Sequence, residues 1–111
     1  MQPNSAIDAS RLAMESEPVV AEQTVAGEPR TAATALTSFG GFEVGVWEMT
    51  AGVMRDVEAD EIFVVLSGRA TVTFDDGTPT LDLSGGDVVR LAAGAHTVWT
   101  VTETLRKVYI T

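Results

Sequence analysis

Short runs of β-branched and aromatic residues follow one another from Val19 onwards, and glycine, proline and aspartate residues separate them. In the run Arg69–Asp75, apolar and polar residues alternate, which is typical of a strand with one buried face. Asp76-Gly77 follows directly and favours a hairpin turn, since both residues tolerate a positive φ. Short strands at this spacing predict an antiparallel all-β barrel or sandwich.

The first part of the chain lacks this pattern. Residues 1–17 are polar and have no sustained period, so we expect a mobile N-terminal segment there. One β domain is then predicted over residues 18–111, because a chain of 111 residues is too short for two separate cores. No later segment has the period of a helix longer than about two turns.

The chain is acidic, with a formal net charge of −9 and only seven lysine and arginine residues. Nucleic acids and anionic membranes bind through clustered basic side chains, so neither is an expected partner. The sequence contains no cysteine, which excludes disulfides, thiolate nucleophiles and cysteine metal sites. It has no apolar run of the ~20 residues that a membrane span needs, and we expect no secretory signal. These features predict a cytoplasmic location.

Two segments resemble the two sequence motifs of the cupin superfamily. Glu61–Gly68 has the glutamate and the glycine that end the first motif, at the same spacing. Gly86–Gly94 has the Gly-Asp turn, the apolar strand and the final glycine of the second motif, although Ala92 stands where cupins have a proline. The resemblance implies a single-domain cupin, which is a jelly-roll β-barrel, over residues 18–111.

A narrower resemblance covers the same residues. Three features are similar to the subfamily that includes the cupin domain of (S)-ureidoglycine aminohydrolase: the Gly-Val-Trp-Glu run within Val44–Glu48, Trp99, and the strand Leu105–Tyr109. Many members of this subfamily have no known activity, so the resemblance implies a fold more than a function. Cupins commonly pair through an edge strand, and Val19–Val25 is the candidate for such a strand in a homodimer.

Archetypal cupins bind a divalent metal through three histidines and one glutamate, so the resemblance allows each ligand position to be checked. Counting back from Glu61, the first two histidine positions fall at Arg55 and Val57, and the last falls at Thr97. Only Glu61 can then be a ligand, and the fixed positive charge of Arg55 would repel a cation. We therefore expect no metal site and no cofactor.

A shift of the chain by one residue gives a different result. Met54 and Asp56 would then occupy the first two histidine positions. The carboxyl groups of Asp56 and Glu61 would converge, and a weakly bound divalent metal would be the alternative. The sequence leaves open whether Arg55 or Asp56 faces the barrel interior.

In the first register, Arg55 is expected to pair with Glu61 or to hold an anionic group of a ligand. Thr97 would face the same interior, and Trp99 is the best candidate for an apolar pocket wall. The predicted ligand-binding residues are therefore Arg55, Glu61, Thr97 and Trp99. Glu61 is also the candidate catalytic residue, as a general base, and a structural ion pair is its alternative role.

Three further predictions concern charged residues. His96 is the only histidine and precedes an inward position, so we expect it on the outer surface. The four acidic residues between positions 56 and 61 favour a solvated loop at the barrel rim. Glu48 is expected to form a cross-strand pair with Arg106 or Lys107.

The sequence leaves three functions open. The first is a metal-free cupin that binds a small polar or anionic molecule in its barrel. The second is an enzyme of small-molecule metabolism, such as an isomerase, a lyase or an aminohydrolase-like protein, that uses Glu61; the missing histidine ligands argue against it. The third is a non-catalytic dimerising module whose own side chains fill the barrel.

Overall fold

The computed structural model describes all 111 residues. Nine strands make up its regular structure, and they are β1 (Glu17–Pro18), β2 (Thr24–Ala26), β3 (Arg30–Phe39), β4 (Phe42–Met49), β5 (Gly52–Val57), β6 (Glu61–Phe74), β7 (Leu81–Ser84), β8 (Val88–Leu91) and β9 (His96–Ile110). No helix that could cross a membrane is present. The all-β prediction is confirmed, because every regular element is a strand.

The strand β9 is the centre of the fold. Its second half lies between β4 and β6, and its first half lies between β5 and β6. The other edge of β6 pairs with β8 and then with β7. Beyond β4 lie β3 and β1, and beyond β5 lies β2. All these pairings are antiparallel, and the curled sheet they form is the jelly roll expected of a cupin.

The two longest strands bend together. The pairing of β6 with β9 shifts register between Val65 and Ala70, and such irregularities bend a strand. Gly68 lies in this stretch with a φ of 94°, which glycine adopts readily. A Cβ atom at Gly68 would overlap the carbonyl oxygen of Thr104, so a larger residue would force the two strands apart. This bend lets β6 and β9 contribute to both sides of the barrel.

Alternation along the strands places the apolar side chains inside. Twelve buried residues form one core cluster, in which Phe63 and Leu105 are completely buried. On β5, Met54 is buried, Arg55 is exposed and Asp56 is half-buried. The structure therefore has the second of the two registers considered for the ligand positions, with Met54 and Asp56 on the inward face.

The predicted turns lie between strands. Asp76-Gly77 belongs to the loop between β6 and β7, where an Asp76 carboxylate oxygen accepts a hydrogen bond of 3.0 Å from the Thr78 amide. Asp87 lies in the turn between β7 and β8 and accepts a hydrogen bond of 2.9 Å from the Ser84 amide. Both turns thus depend on an aspartate that accepts hydrogen bonds from nearby backbone.

The N-terminal segment lies against the outer face of β3, β4 and β9. Arg106 donates hydrogen bonds to the carbonyl oxygens of Ala9 and Leu12, at 3.0 and 2.8 Å. Val46 is completely buried although it lies outside the core cluster, and its register partner Val108 lies two residues after Arg106 on β9. We infer that residues 1–16 cover this outer face. The expected boundary at residues 17 and 18 falls inside β1, and the mobility of the segment stays a prediction.

Candidate functional site

A cavity of about 270 Å³ opens into the barrel between the inner faces of β4, β5, β6 and β9. Its wall includes two tryptophan rings, one tyrosine, one lysine and three carboxyl groups. The aromatic and charged part of this wall includes Trp47, Trp99, Tyr109, Lys107, Glu58 and Glu61.

Lys107 occupies the middle of this site. It follows Leu105 by two positions on β9, so strand alternation points both side chains inward, and only 4 % of Lys107 is exposed. Its Nζ atom lies 3.2 Å from Oε2 of Glu61. The same Nζ lies 4.7, 4.1 and 5.0 Å from the ring centroids of Trp47, Phe63 and Trp99.

The surroundings of Lys107 shift its pKa in two opposite directions. Burial disfavours the charged ammonium and lowers the pKa of Lys107, whereas the negative charge of Glu61 raises that pKa and offsets part of the effect. The ring faces also attract a cation. A buried ion pair of this kind depends on both partners, because either charge alone would be desolvated without compensation.

Glu58 is the second buried charged group. Only 8 % of it is exposed, and its Oε1 atom accepts hydrogen bonds from Thr97 Oγ1 at 3.1 Å and Trp99 Nε1 at 3.3 Å. Burial raises the pKa of Glu58, and the nearby charge of Asp56 raises it further. A solvated loop was expected over these acidic residues; the structure corrects this for Glu58, which Thr97 and Trp99 hold inside the barrel.

Tyr109 closes one side of the cavity. Its hydroxyl donates a hydrogen bond of 2.9 Å to Glu43. Burial and this contact raise the pKa of Tyr109 to about 12. The ring lies across Gly45 on the neighbouring strand, and a Cβ atom at Gly45 would overlap it. The glycine in the Gly-Val-Trp-Glu run is therefore needed to make room for the tyrosine.

Three of the four predicted ligand-binding residues lie at this site. Glu61 and Trp99 line the cavity, and Thr97 is buried beside Glu58. Arg55 does not join them, and its predicted contact with Glu61 is wrong. It lies opposite Val98 on the exposed face of β5, because the chain has the register that turns Asp56 inward.

An open groove on that outer face contains Arg55. The groove has a volume of about 710 Å³, and His96 also lines it. His96 is exposed, so its predicted outward orientation is confirmed. The predicted cross-strand pair is confirmed as well, since Arg106 Nη2 lies 3.1 Å from Oε1 of Glu48.

Comparison with known proteins identifies the family. The family model for the EutQ-like cupin domain matches residues 36–109. The chain belongs to the EutQ-like cupin family. Among curated proteins, none has a sequence that matches this cupin. The cupin prediction is confirmed, whereas the narrower resemblance to the ureidoglycine aminohydrolase subfamily stays a prediction.

Solved structures share the fold of this EutQ-like cupin at low sequence identity. The Clostridium difficile EutQ protein is 20% identical, with a TM-score of 0.64 over 75% of this chain and 68% of its own. A putative ethanolamine utilization protein from Salmonella typhimurium is 16% identical, with a TM-score of 0.63 over 88% and 95% of the two chains. A protein of unknown function from Pseudomonas syringae is 22% identical, with a TM-score of 0.70, and this cupin covers 44% of it.

The residues at the cupin ligand positions do not fit a divalent metal. No histidine lies inside this barrel, and no three histidine, cysteine or acidic side chains are arranged to hold an ion. A tethered ammonium, that of Lys107, already lies against Glu61. A divalent cation there would be repelled by Lys107 and would compete with it for the carboxylate.

Lys107 is the site residue that sequence reasoning missed. The strand pattern predicts for it only a possible pairing with Glu48, which pairs with the neighbouring Arg106 instead. Two signals in the sequence indicate it. Lys107 is the only lysine of the chain, and it lies on the same face of β9 as the apolar residues Leu105 and Tyr109. A lone lysine at an inward strand position predicts a buried partner, because lysine is almost never fully buried unless paired.

Proposed function

We propose that this EutQ-like cupin binds a small polar molecule in the cavity around Lys107 without a metal ion. The observation that carries the proposal is a cavity whose wall combines tryptophan rings with buried charged groups. Small-molecule sites are usually apolar clefts with a few fixed polar groups, and this cavity has that composition.

The size of the cavity limits the ligand. A volume of about 270 Å³ corresponds to about nine water molecules at ~30 Å³ each. It also lies at the lower end of the usual range for ligand pockets, which begins near ~300 Å³. A compound with a few non-hydrogen atoms fits this space, whereas a nucleotide or a peptide does not.

The charges in the cavity favour a neutral polar ligand over an anionic one. Arg55 was the expected anchor for an anion, but it lies on the outer face of β5. Three carboxyl groups line the cavity, those of Asp56, Glu58 and Glu61, against the single ammonium of Lys107. This surplus of acidic groups would repel an anion and would accept hydrogen bonds from hydroxyl or amide groups.

The same cavity argues against the third function left open by the sequence. A purely dimerising module would fill its barrel with its own side chains, whereas this barrel keeps a space lined by polar groups. The enzymatic alternative built on Glu61 as a free general base is also less favoured, since Lys107 already pairs with that carboxylate.

Intrinsic fluorescence provides a direct test. Trp47 and Trp99 are the only tryptophans, and both line the cavity. We would titrate the protein with small polyols, amides, amino acids and carboxylic acids. Saturable quenching by a neutral compound is expected, and it should be lost in Lys107→Met.

Arg55→Ala is the matched control, because it removes a positive charge from the outer face only. It should bind the same compound with unchanged affinity. Loss of binding in Arg55→Ala, or no fluorescence change with any compound, would contradict the proposal.

A further inference from the structure

The distribution of basic residues in this chain is uneven. Six of the seven are arginines, and the single lysine is the one inside the barrel. An arginine at this position could also have paired with Glu61, but its guanidinium stays protonated and cannot act as a nucleophile. A lysine amine can lose its proton and then has a free lone pair.

Lys107 Nζ has few hydrogen-bond acceptors around it, so its ammonium is less well solvated than it would be in water. A protonated ammonium has three N–H groups to donate, yet the only oxygen of the protein that Nζ reaches is Oε2 of Glu61. The other neighbours of Nζ are the ring faces of Trp47, Phe63 and Trp99. Burial accordingly lowers the pKa of this lysine.

Two acidic groups face the same cavity as the amine. Glu61 contacts Nζ directly and can accept a proton from it. Glu58 also lines the cavity. Burial raises the pKa of Glu58, so its carboxyl group holds a proton more readily than an exposed glutamate does. An amine with an adjacent base and a nearby acid is the arrangement needed for condensation with a carbonyl group.

We propose that Lys107 captures small aldehydes or ketones as a Schiff base in this cavity, with Glu58 and Glu61 as the acid and base. This inference rests on the proposed binding function and adds to it a substrate class and a covalent step. Carbonyl compounds of a few atoms are neutral and polar, so they also match the size and charge of the cavity.

The reaction balances without an oxidant or a further reactant. The Nζ lone pair adds to the carbonyl carbon, Glu58 gives its proton to the carbonyl oxygen, and Glu61 accepts the first proton that the nitrogen loses. Glu61 then passes this proton to the hydroxyl of the carbinolamine, which leaves as water while the carbon–nitrogen double bond forms, and the Glu58 carboxylate takes the remaining proton from the nitrogen. Both glutamates return to their starting protonation, so the water carries the carbonyl oxygen and, in net terms, both protons of the neutral amine.

Reductive trapping tests the proposal on the full chain. The protein is incubated with propanal and sodium cyanoborohydride, which fixes an imine as a stable propyl-amine, and the adduct is located by peptide mass mapping. Only two amines can react, Nζ of Lys107 and the amino group of Met1. We expect one propyl group per chain on Lys107, formed at least about tenfold faster than on Met1.

Three variants separate chemistry from structure. Glu58→Gln should slow trapping on Lys107, because the acid is lost, whereas Arg55→Ala on the outer face should trap propanal at the wild-type rate. Lys107→Arg keeps the positive charge and should abolish the internal adduct. Should Lys107→Arg fail to fold, labelling of the wild-type protein in urea gives the comparison, and Lys107 should then lose its advantage over Met1.

The outcomes distinguish this inference from the proposed function. An adduct confined to Met1, or equal labelling of Lys107 in folded and unfolded protein, overturns the Schiff-base proposal. The same conclusion follows if neutral compounds quench the tryptophans but propanal leaves no adduct on Lys107. If no compound, propanal included, binds the cavity, both proposals fail.

Discussion

Nζ of Lys107 lies 3.2 Å from Oε2 of Glu61, and the side chains are only 5 % and 14 % exposed. Removing one partner leaves the other charge buried without compensation. Glu61→Ala should therefore destabilise the protein by about 3–5 kcal/mol. Lys107→Met combined with Glu61→Ala should recover part of this loss, because no uncompensated charge of the pair remains. Urea unfolding of the four proteins measures the coupling.

Arg55→Ala supplies the control for this cycle. Because Arg55 lies on the outer face, the effects of Arg55→Ala and Glu61→Ala on the free energy of unfolding should be additive within about 0.5 kcal/mol. A larger coupling would mean that Arg55 reaches the interior, contrary to the register of β5.

Tyr109 gives a pH-dependent signal that can be assigned to one residue, because it is the only tyrosine. Its pKa is raised from the reference value of 10.0 to about 12. The folded state therefore holds this proton more tightly than the unfolded state. The resulting contribution to stability is complete below pH 10 and is lost as the pH rises towards 12.

Phenolate absorbance measures this titration directly. Glu43→Gln should move the pKa of Tyr109 back towards 10.0, because the negative partner that disfavours the phenolate is gone. Tyr109→Phe should remove the loss of stability in this pH range. A midpoint near 10.0 in the wild-type protein would show that the hydroxyl is solvated.

Arg106 should hold the N-terminal segment in place. Arg106→Lys keeps a positive charge beside Glu48 but cannot reproduce the two hydrogen bonds to Ala9 and Leu12. Hydrogen bonds to a charged group contribute about 1.5–3 kcal/mol each, so the segment should detach more often. Faster hydrogen exchange and proteolysis within residues 1–16 would report this, with little change in the barrel. If residues 1–16 are equally unprotected in both proteins, the segment is mobile, as its composition predicts.

We also expect a homodimer formed through the edge near β2. Val20 and Val25 are about half exposed there, and β2 pairs with β5 on one side only. An unpaired edge strand readily adds another strand. Light scattering should give twice the chain mass of 11.7 kDa, and Val25→Lys should shift the protein to the monomer. A wild-type monomer at tens of micromolar would exclude this assembly.

The fold was accessible from the sequence because its signals are local. Alternation in Arg69–Asp75, the Asp-Gly turns and the two cupin motifs each depend on a few neighbouring residues. The register of β5 could not be predicted from the sequence. A shift of one residue turns Asp56 inward in place of Arg55, and either charged side chain can lie at a barrel mouth. Lys107 could not be predicted because its partners lie on two other strands, at Trp47 on β4 and at Glu61 and Phe63 on β6.

The central position of β9 has a consequence for the order of folding. β9 pairs with β4, β5 and β6, which all precede it in the sequence. During synthesis those strands are therefore made before the strand with which they pair. Contacts between residues so far apart along the chain make folding slow. Lys107 lies on β9, and we expect the carboxyl groups of Glu58 and Glu61 to remain hydrated until that strand is in place. We therefore expect the ion pair of Lys107 and Glu61 to form only when β9 closes the barrel, so that the site is completed together with the fold.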